Sequence, residues 1–237
     1  MISNKKTARI AGLLYLGVVL SGIFSLMYVP SQIIDYNSPL QTYLNLFSFE
    51  LLYRLGIISG LLCYTFFLFL PLVLYKLFKP VDENYAKSMV ILAIISVPMY
   101  FLNVQNEFTV LSLLDVSTNT YGFSSAQIQS QVMLYLDQYD NGMRMIHIFS
   151  GLWLFPFGYL VFKSGFLPKI LGVLLMLGCF GYLINFIGHT ISPQYANMGI
   201  SSYISLPASI GEIGICLWLL IMGAKNSNSN NEQNNIS

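Results

Sequence analysis

The chain has 237 residues, of which 55% are apolar and 9% carry a charged side chain, and its net charge is +1. Soluble domains carry about 25% charged residues, so this composition excludes an ordinary soluble domain. The net charge of +1 also gives no indication of a nucleic-acid partner. Repeated apolar segments of about 20 residues, the length that spans a bilayer, predict an integral membrane protein whose first partner is the lipid bilayer.

The apolar segments predict an all-α fold, a polytopic bundle of six transmembrane helices in a single domain covering residues 1–225. The first segment follows a basic stretch but is too long for a signal-peptide core, so we expect a retained span. The last residues, 226–237, are rich in Asn and Ser, a composition that predicts a disordered tail. The predicted spans are residues 8–29, 54–75, 88–111, 143–162, 170–188 and 204–223.

Two short amphipathic helices are expected on the outer face of the membrane. The first begins after Ser38, where a serine N-cap precedes proline at the first helical position. The second lies in a long loop over residues 115–141, begins near Ser125, and carries an apolar stripe of Ile128, Val132 and Leu136. Their one-sided apolar pattern is typical of helices that lie on a membrane surface.

Basic residues near the ends of the spans predict the orientation of the bundle. In a six-span arrangement, nine of the eleven Lys and Arg residues fall on one side, and this side is cytoplasmic by the positive-inside rule. Both termini are then cytoplasmic. The two exceptions, Arg54 and Arg144, lie at the outer ends of spans. The nine are Lys5, Lys6, Arg9, Lys76, Lys79, Lys87, Lys163, Lys169 and Lys225.

Polar residues inside the spans mark the candidate functional site. The segment Asn103–Glu107 interrupts the apolar third span, and such residues normally face the bundle interior or a water-filled cavity. Helical spacing places several others in the outer half of their spans, which predicts one chamber that opens outward. The candidate ligand-binding residues are Arg54, Asn103, Glu107, Arg144, His147, Asn185, His189 and Glu212.

Four interpretations of this cluster remain open. The acids and the arginines nearly balance in number, which fits a salt-bridge network that fixes helix register. The same groups fit a chamber that binds or transports a small ligand, or a proton relay through Glu212, Glu107 and His147. A metal site is the fourth, in which His147, His189 and Glu107 hold a divalent ion such as zinc, the one cofactor the sequence suggests.

The sequence contains no nucleophile-elbow, P-loop or dinucleotide motif, so catalytic residues stay unassigned and enzymatic activity undecided. We expect an integral membrane protein that binds or transports a small ligand. One alternative is a membrane-embedded metal-assisted hydrolase, and another is a structural or regulatory partner of a second membrane protein.

Three segments carry a resemblance to a known family. The segment Gly158–Leu175, with its Lys-Ser-Gly-Phe-Leu-Pro-Lys turn between two spans, resembles the signature of a prokaryotic membrane-protein family catalogued as domain of unknown function 4386 (DUF4386). Segments starting at Arg9 and Tyr53 are similar to its pattern, and the resemblance covers residues 7–223. It implies a multi-span protein in the plasma membrane of a prokaryotic cell, and it supplies no catalytic residues.

Overall fold

The computed structural model describes residues 4–115, 122–192 and 194–224, and every regular element in these ranges is helical. Six helical segments within them are long and apolar enough to cross a membrane, which confirms the predicted all-α, six-span fold. The predicted disordered tail lies outside the described residues. The six segments are Asn4–Ile33, Glu50–Phe78, Glu83–Leu114, Ser125–Ser164, Lys169–Ile191 and Ile200–Ile221.

The described ranges contain ten α-helices, a π-helical turn at Phe24–Tyr28 and a 3-10 turn at Tyr195–Met198. Three of the spans are interrupted: the first by the π-helical turn, the third at Val104 and the fourth at Trp153. The helices are α1 Asn4–Ile23, α2 Val29–Ile33, α3 Pro39–Ser48, α4 Glu50–Phe78, α5 Glu83–Asn103, α6 Gln105–Leu114, α7 Ser125–Leu152, α8 Leu154–Ser164, α9 Lys169–Ile191 and α10 Ile200–Ile221.

The structure corrects the end of the first span. We expected this span to end at residue 29, directly before Pro30, but α2 carries the helix through this proline to Ile33. Pro30 stands in the first turn of α2, directly after the π-helical turn. The Val29 N–H bonds the Phe24 carbonyl oxygen across the π-helical turn. Proline has no N–H to donate, so it follows a point where the α-helical hydrogen-bond pattern is already interrupted.

The start of α3 follows the prediction. The Ser38 hydroxyl accepts a hydrogen bond from the Gln41 backbone N–H at 3.2 Å, and Pro39 is the first helical residue. The expected second short helix is different, because it does not end before the fourth span. Its apolar stripe is buried as predicted, but α7 continues without a break from Ser125 to Leu152.

The chain divides into two compact units. Unit 1 contains residues 1–16, 66–96 and 147–237, and unit 2 contains residues 17–65 and 97–146. Helices α1, α4, α5 and α7 contribute to both units, whereas α8, α9 and α10 belong to unit 1 and α2, α3 and α6 to unit 2.

A row of aromatic rings forms the centre of unit 1. The Trp153 ring stacks on Phe157 at 5.0 Å between centroids and meets the edge of Phe67 at 5.2 Å. Phe157 in turn meets Phe78 at 5.8 Å. Trp153, Phe157 and Phe78 are at most 1% exposed. Aromatic pairs at these distances add attraction beyond the area that they bury, so this row ties α4, α7 and α8 together.

Glycines let α8 and α9 approach to backbone contact in unit 1. A Cβ atom at Gly158 would lie 2.5 Å from the Gly172 carbonyl oxygen, and one at Gly172 would lie 2.6 Å from the Gly158 carbonyl oxygen. The turn between these helices needs a third glycine, because Gly165 ends α8 with φ +72°, a conformation that disfavours other residues. The Lys-Ser-Gly-Phe-Leu-Pro-Lys turn is therefore a tight helical hairpin.

Two contacts each bring basic segments of unit 1 close to another part of the chain. The Lys163 ammonium group donates to the Asp82 carboxylate at 3.1 Å, which joins the α8–α9 turn to the turn before α5. This hydrogen bond holds the pKa of Asp82 below its ordinary value. At the ends of the bundle, a Cβ atom at Gly223 would lie 3.0 Å from Lys5. Within this unit, α1 and α10 thus start and end close together.

The core of unit 2 is built on a tyrosine pair. The rings of Tyr64 and Tyr100 stack with a centroid distance of 3.8 Å and an interplanar angle of 6°. The Tyr100 hydroxyl abuts Gly60 so closely that a Cβ atom at this glycine would overlap it. Gly56 lies against Val29 in the same way, so Gly56 and Gly60 form a packing face of α4.

We predict that Gly172→Ala lowers the stability of the protein by about 1–3 kcal/mol, because the added methyl group forces the α8–α9 hairpin apart. The measurement is the thermal unfolding temperature of the purified protein in detergent. Gly22→Ala is the matched control, since its Cβ atom would meet only Cys63 Sγ at an ordinary 3.4 Å. Equal unfolding temperatures for the two variants would contradict the close packing.

Candidate functional site

The structure distributes the eight predicted site residues over both units. Four of them belong to unit 2, and four belong to unit 1. Those in unit 2 are Arg54, Asn103, Glu107 and Arg144, and those in unit 1 are His147, Asn185, His189 and Glu212.

Unit 2 contains a polar group that we call the Glu107 group: Tyr53, Tyr100, Asn103, Glu107 and Tyr139. Four helices supply it, with Tyr53 on α4, Tyr100 and Asn103 on α5, Glu107 on α6 and Tyr139 on α7. All three tyrosine hydroxyls lie close enough to the Glu107 carboxyl group to interact with it electrostatically. Sequence spacing had paired Asn103 with Glu107, and the structure adds the tyrosines.

Both the nitrogen and the oxygen of the Asn103 side chain have a hydrogen-bond partner. Its side-chain amide donates to the Tyr139 carbonyl oxygen at 2.9 Å, and its side-chain oxygen accepts from the Asn106 amide at 3.1 Å. The same oxygen abuts Gly142 so closely that a Cβ atom there would overlap it. Asn103 therefore fixes α5 and α7 in register, and Gly142 keeps the space that this contact needs.

Other members of the Glu107 group have polar atoms without partners. Glu107 Oε2, the Tyr53 hydroxyl and the Tyr100 hydroxyl are shielded from solvent, and none has a hydrogen bond of ordinary geometry to a described protein group. The Tyr139 hydroxyl lies beside that of Tyr100. Tyr53 is 4% exposed and Tyr100 is fully buried, whereas Glu107 is half-buried. Each unpaired buried polar atom costs about 1–3 kcal/mol, so three in one place call for an explanation.

The surroundings of Glu107 are acidic. The charged side chain that interacts with it is Asp140, and no basic side chain does so among the described residues. The two outer arginines are engaged at the surface instead. Arg54 forms an ion pair with Glu50 at 2.6 Å, and Arg144 donates to Asn141 at 3.2 Å.

The expected salt-bridge network is therefore wrong for Glu107 and Glu212. In the part of the chain that the structure describes, neither carboxylate lies within ion-pair distance of a basic group. An i,i+4 pair on one helix needs no long-range packing, which explains why Arg54 pairs with Glu50 rather than with a buried acid.

Unit 1 contains a second polar group, the Glu212 group, made of Tyr15, His147, Tyr182 and Glu212. The buried Tyr15 hydroxyl donates to Glu212 Oε1 at 3.3 Å, and the Tyr182 hydroxyl interacts electrostatically with the same carboxyl group. The His147 ring lies 5.7 Å from the Tyr182 ring. Unlike Glu107, Glu212 thus has a hydrogen-bond donor from the protein.

Asn185 and His189 belong to a separate hydrogen-bonded corner of unit 1. The Asn185 amide donates to the Ser205 hydroxyl at 2.8 Å and to the Ser201 carbonyl oxygen at 3.1 Å. Its oxygen accepts from the Tyr195 hydroxyl at 2.8 Å, and the Tyr195 ring meets His189 edge-on at 4.9 Å. These bonds use both ends of the amide, so Asn185 joins α9 to α10.

The predicted metal site receives no support from the structure. Among the described residues, no three His, Cys, Asp or Glu side chains are arranged to hold a metal ion. His147 lies beside the Tyr182 ring, and His189 lies beside the Tyr195 ring, so each imidazole has an aromatic neighbour. The set of His147, His189 and Glu107 therefore does not appear as a ligand group.

The tyrosines of both groups were missed in the sequence. A tyrosine in an apolar span resembles any other large core residue, and only helix rotation shows where its hydroxyl points. One signal was available for Tyr100, because it lies three residues before Asn103 and seven before Glu107, on the same helical face. No comparable spacing singles out Tyr53 or Tyr139.

The surface of the spans defines the class of protein. Large apolar side chains are exposed along the helices, among them Leu20 at 60%, Ile91 at 60% and Ile221 at 64%. A soluble protein rarely exposes so much apolar surface, whereas lipid chains cover it readily. With six apolar spans, the chain is a multi-pass membrane protein.

Comparison with known proteins gives the family. The family model described as "Domain of unknown function (DUF4386)" matches residues 10–223, so the chain belongs to this family, as its sequence motifs predicted. Over 79 residues, 33% of its length, the chain is 37% identical to an uncharacterized protein of Archaeoglobus fulgidus. The match spans 44% of that protein, which is less than half its length. No solved structure matches the chain significantly.

We predict opposite effects on stability for two neighbours in the Glu107 group. Tyr53→Phe removes an unpaired buried hydroxyl and should stabilise the ligand-free protein by about 1 kcal/mol. Asn103→Ala removes the side-chain hydrogen bonds to the Tyr139 carbonyl oxygen and from the Asn106 amide, which keeps its bond to the carbonyl oxygen of residue 103. It should destabilise the protein by about 1–3 kcal/mol. The thermal unfolding temperatures of both variants in detergent show whether each change raises or lowers the stability. A lower unfolding temperature for Tyr53→Phe would show that the Tyr53 hydroxyl is paired.

Proposed function

We propose that this protein binds or transports a small ligand at the Glu107 group. The observation that carries the proposal is the set of three shielded oxygen atoms without partners, on Glu107, Tyr53 and Tyr100. Native proteins pair nearly all such atoms, and in an apolar membrane the penalty for leaving them unpaired is high. A bound ligand that pairs them offsets that penalty.

The proposed site keeps two of the sequence candidates and adds three tyrosines. Asn103 and Glu107 remain, with Asn103 positioning the helices and Glu107 facing the ligand. Arg54, Arg144 and Asn185 have protein partners that account for their presence, so we leave them outside the site.

The Glu212 group is a second polar element of the same membrane domain. His147 and Glu212 lie near Tyr182, and Glu212 already accepts a hydrogen bond from Tyr15. A carboxyl group paired with a tyrosine hydroxyl can gain or lose a proton without losing its partner. A transport cycle would use such a group to couple ligand movement to protons.

The alternatives have less in their favour. A metal-assisted hydrolase would need a ligand set that the described residues do not form. A purely structural partner of another membrane protein would not need three unpaired polar atoms in its core.

We also propose that the protein lies in a prokaryotic plasma membrane with both termini in the cytoplasm. The nine basic residues that predict this side include Lys163, and its bond to Asp82 keeps two of the basic turns together. The proximity of Lys5 to Gly223 supports placing the start of α1 and the end of α10 on the same side. Attraction of lysines to the anionic inner leaflet makes that side cytoplasmic.

A ligand screen tests the site. We expect at least one small molecule of a chemically diverse metabolite panel to raise the thermal unfolding temperature of the purified protein, because a ligand stabilises the folded state that binds it. Glu107→Gln should abolish this stabilisation.

Glu83→Gln is the matched control for that screen. It makes the same substitution in the same span, but at an exposed acid that pairs with Lys79 and Lys87. A panel without any stabilising compound, or one whose compounds act equally on Glu107→Gln, would refute the proposed site.

Cysteine labelling of intact cells tests the orientation. Asn37 and Asn84 are both exposed, in the loop after α2 and in the first turn of α5, while the native Cys63, Cys179 and Cys216 are buried. We expect a membrane-impermeant maleimide to label Asn37→Cys and to leave Asn84→Cys unlabelled until the cells are opened. The reverse pattern would invert the orientation.

A further inference from the structure

We propose that the α8–α9 hairpin binds an anionic phospholipid, whose phosphate group contacts Lys169 and whose acyl chain lies along Phe162, Phe155 and Phe180. All four residues belong to unit 1, whereas the Glu107 group belongs to unit 2. The lipid site is therefore a second site, which does not depend on the proposed function. The contacts, exposure and charge of the described residues of the hairpin support it.

Lys169 lies at the surface of the hairpin without an acidic partner. It is the first residue of α9, its side chain is exposed, and no acid of the described ranges lies within ion-pair distance of it. Its ammonium nitrogen lies 5.5 Å from the centre of the Phe162 ring. An aromatic face attracts a cation but does not neutralise it, so the positive charge of Lys169 remains available to an anion.

An exposed row of aromatic rings, the phenylalanine strip, begins beside Lys169 and consists of Phe162, Phe155 and Phe180. Phe162 and Phe155 lie two helical turns apart on one face of α8, which is about 10 Å along the helix. The Phe155 ring meets the Phe180 ring of α9 edge-on at 6.1 Å, so both helices contribute to the strip. The three rings are between 39% and 51% exposed. The strip therefore offers a lipid chain an apolar surface that starts at an ammonium group.

A phospholipid has the chemistry that this surface fits. Its phosphate group lies at the boundary of the hydrocarbon layer, where the spans end, and its chains extend from there along the helices. A phosphate oxygen accepts a charge-assisted hydrogen bond from an ammonium group, while the chain covers the exposed rings. A soluble anion would contact Lys169 and leave the phenylalanine strip without a partner.

Contacts between helices place other basic residues on the same side of unit 1 as Lys169. Two residues further along α9, the Leu171 side chain would lie 2.6 Å from a Cβ atom at Gly214 of α10. Just beyond the end of α10, a Cβ atom at Gly223 would lie 3.0 Å from Lys5 at the start of α1. The hydrogen bond between the α8–α9 turn and the turn before α5 adds the lysines of these two turns.

This side of unit 1 has an excess of positive charge. Of the nine basic residues that the sequence places there, eight lie in the described ranges, together with two acidic residues that already pair with lysines. Asp82 pairs with Lys163, and Glu83 pairs with Lys79 and Lys87. The remaining charge attracts a headgroup of net negative charge more strongly than a zwitterionic one. It therefore favours phosphatidylglycerol over phosphatidylcholine.

A lipid titration tests the site. The full chain in detergent receives dioctanoylphosphatidylglycerol or dioctanoylphosphatidylcholine, and native mass spectrometry measures the fraction of protein with bound lipid. We expect the anionic lipid to bind at least about fivefold more tightly than the zwitterionic lipid of equal chain length. Inorganic phosphate at the same concentration should not displace it, because phosphate has no chain to cover the strip. Equal binding of the two lipids, or displacement by phosphate, would overturn the proposal.

Variants at Lys169 assign the binding to the hairpin. Lys169→Gln should weaken phosphatidylglycerol binding by about fivefold, whereas Lys169→Arg should preserve it, because arginine keeps the charge. Lys87→Gln is the matched control, since it makes the same substitution at an exposed lysine that pairs with Glu83 at 3.0 Å. An equal loss in Lys169→Gln and Lys87→Gln, or unchanged binding in Lys169→Gln, would overturn the site.

Phe155→Ser tests the phenylalanine strip without changing the charge. We expect it to weaken the binding of both lipids by about threefold or more, because less apolar surface is covered. The same spectra report how many copies of the chain form one particle. A dimer that dissociates in Phe155→Ser and binds no lipid would assign the strip to a second copy of the chain and overturn the lipid site. The Lys169 variants keep the test decisive if Phe155→Ser folds poorly.

Discussion

A polar atom inside a membrane has no water to bond with, so its partner must come from the protein or from a ligand. This constraint divides the polar residues of the spans. Asn103 and Asn185 meet it, because both the nitrogen and the oxygen of each amide bond to a neighbouring segment of the protein. Glu107 does not meet it, although it lies one helical turn from Asn103. Asn103 and Asn185 therefore connect helices of the bundle, whereas Glu107 has a buried oxygen atom for which the described protein groups supply no partner.

Small residues make the polar contacts possible. Asn103 reaches α7 because Gly142 leaves space for its oxygen, and Tyr100 reaches α4 because Gly60 leaves space for its hydroxyl. In unit 1, Gly211 and Gly214 bring the helix that carries Glu212 against Leu175 and Leu171 of α9. Without the hydrophobic effect between helices in lipid, such close approach supplies much of the packing energy. The polar contacts between the helices thus depend on the glycines that lie beside them.

The sequence predicted what depends on length and local pattern. Six apolar segments, the Ser38 cap and the Gly165 turn follow from hydropathy and backbone preference, and the structure contains them all. The sequence could not predict features that depend on helix rotation and on contacts between residues far apart in the chain. Tyr53 and Tyr139 join Glu107 through packing, and α7 remains helical across polar residues that suggested a loop.

The α8–α9 hairpin has a consequence for how the protein is made. Its interlocking glycines, Gly158 and Gly172, are close in sequence, and the turn between them is fixed by Gly165. Contacts between near neighbours in the chain form early, because little chain entropy is lost in closing the loop. The hairpin can therefore assemble before α10 enters the membrane. It would then serve as the template on which the last span docks.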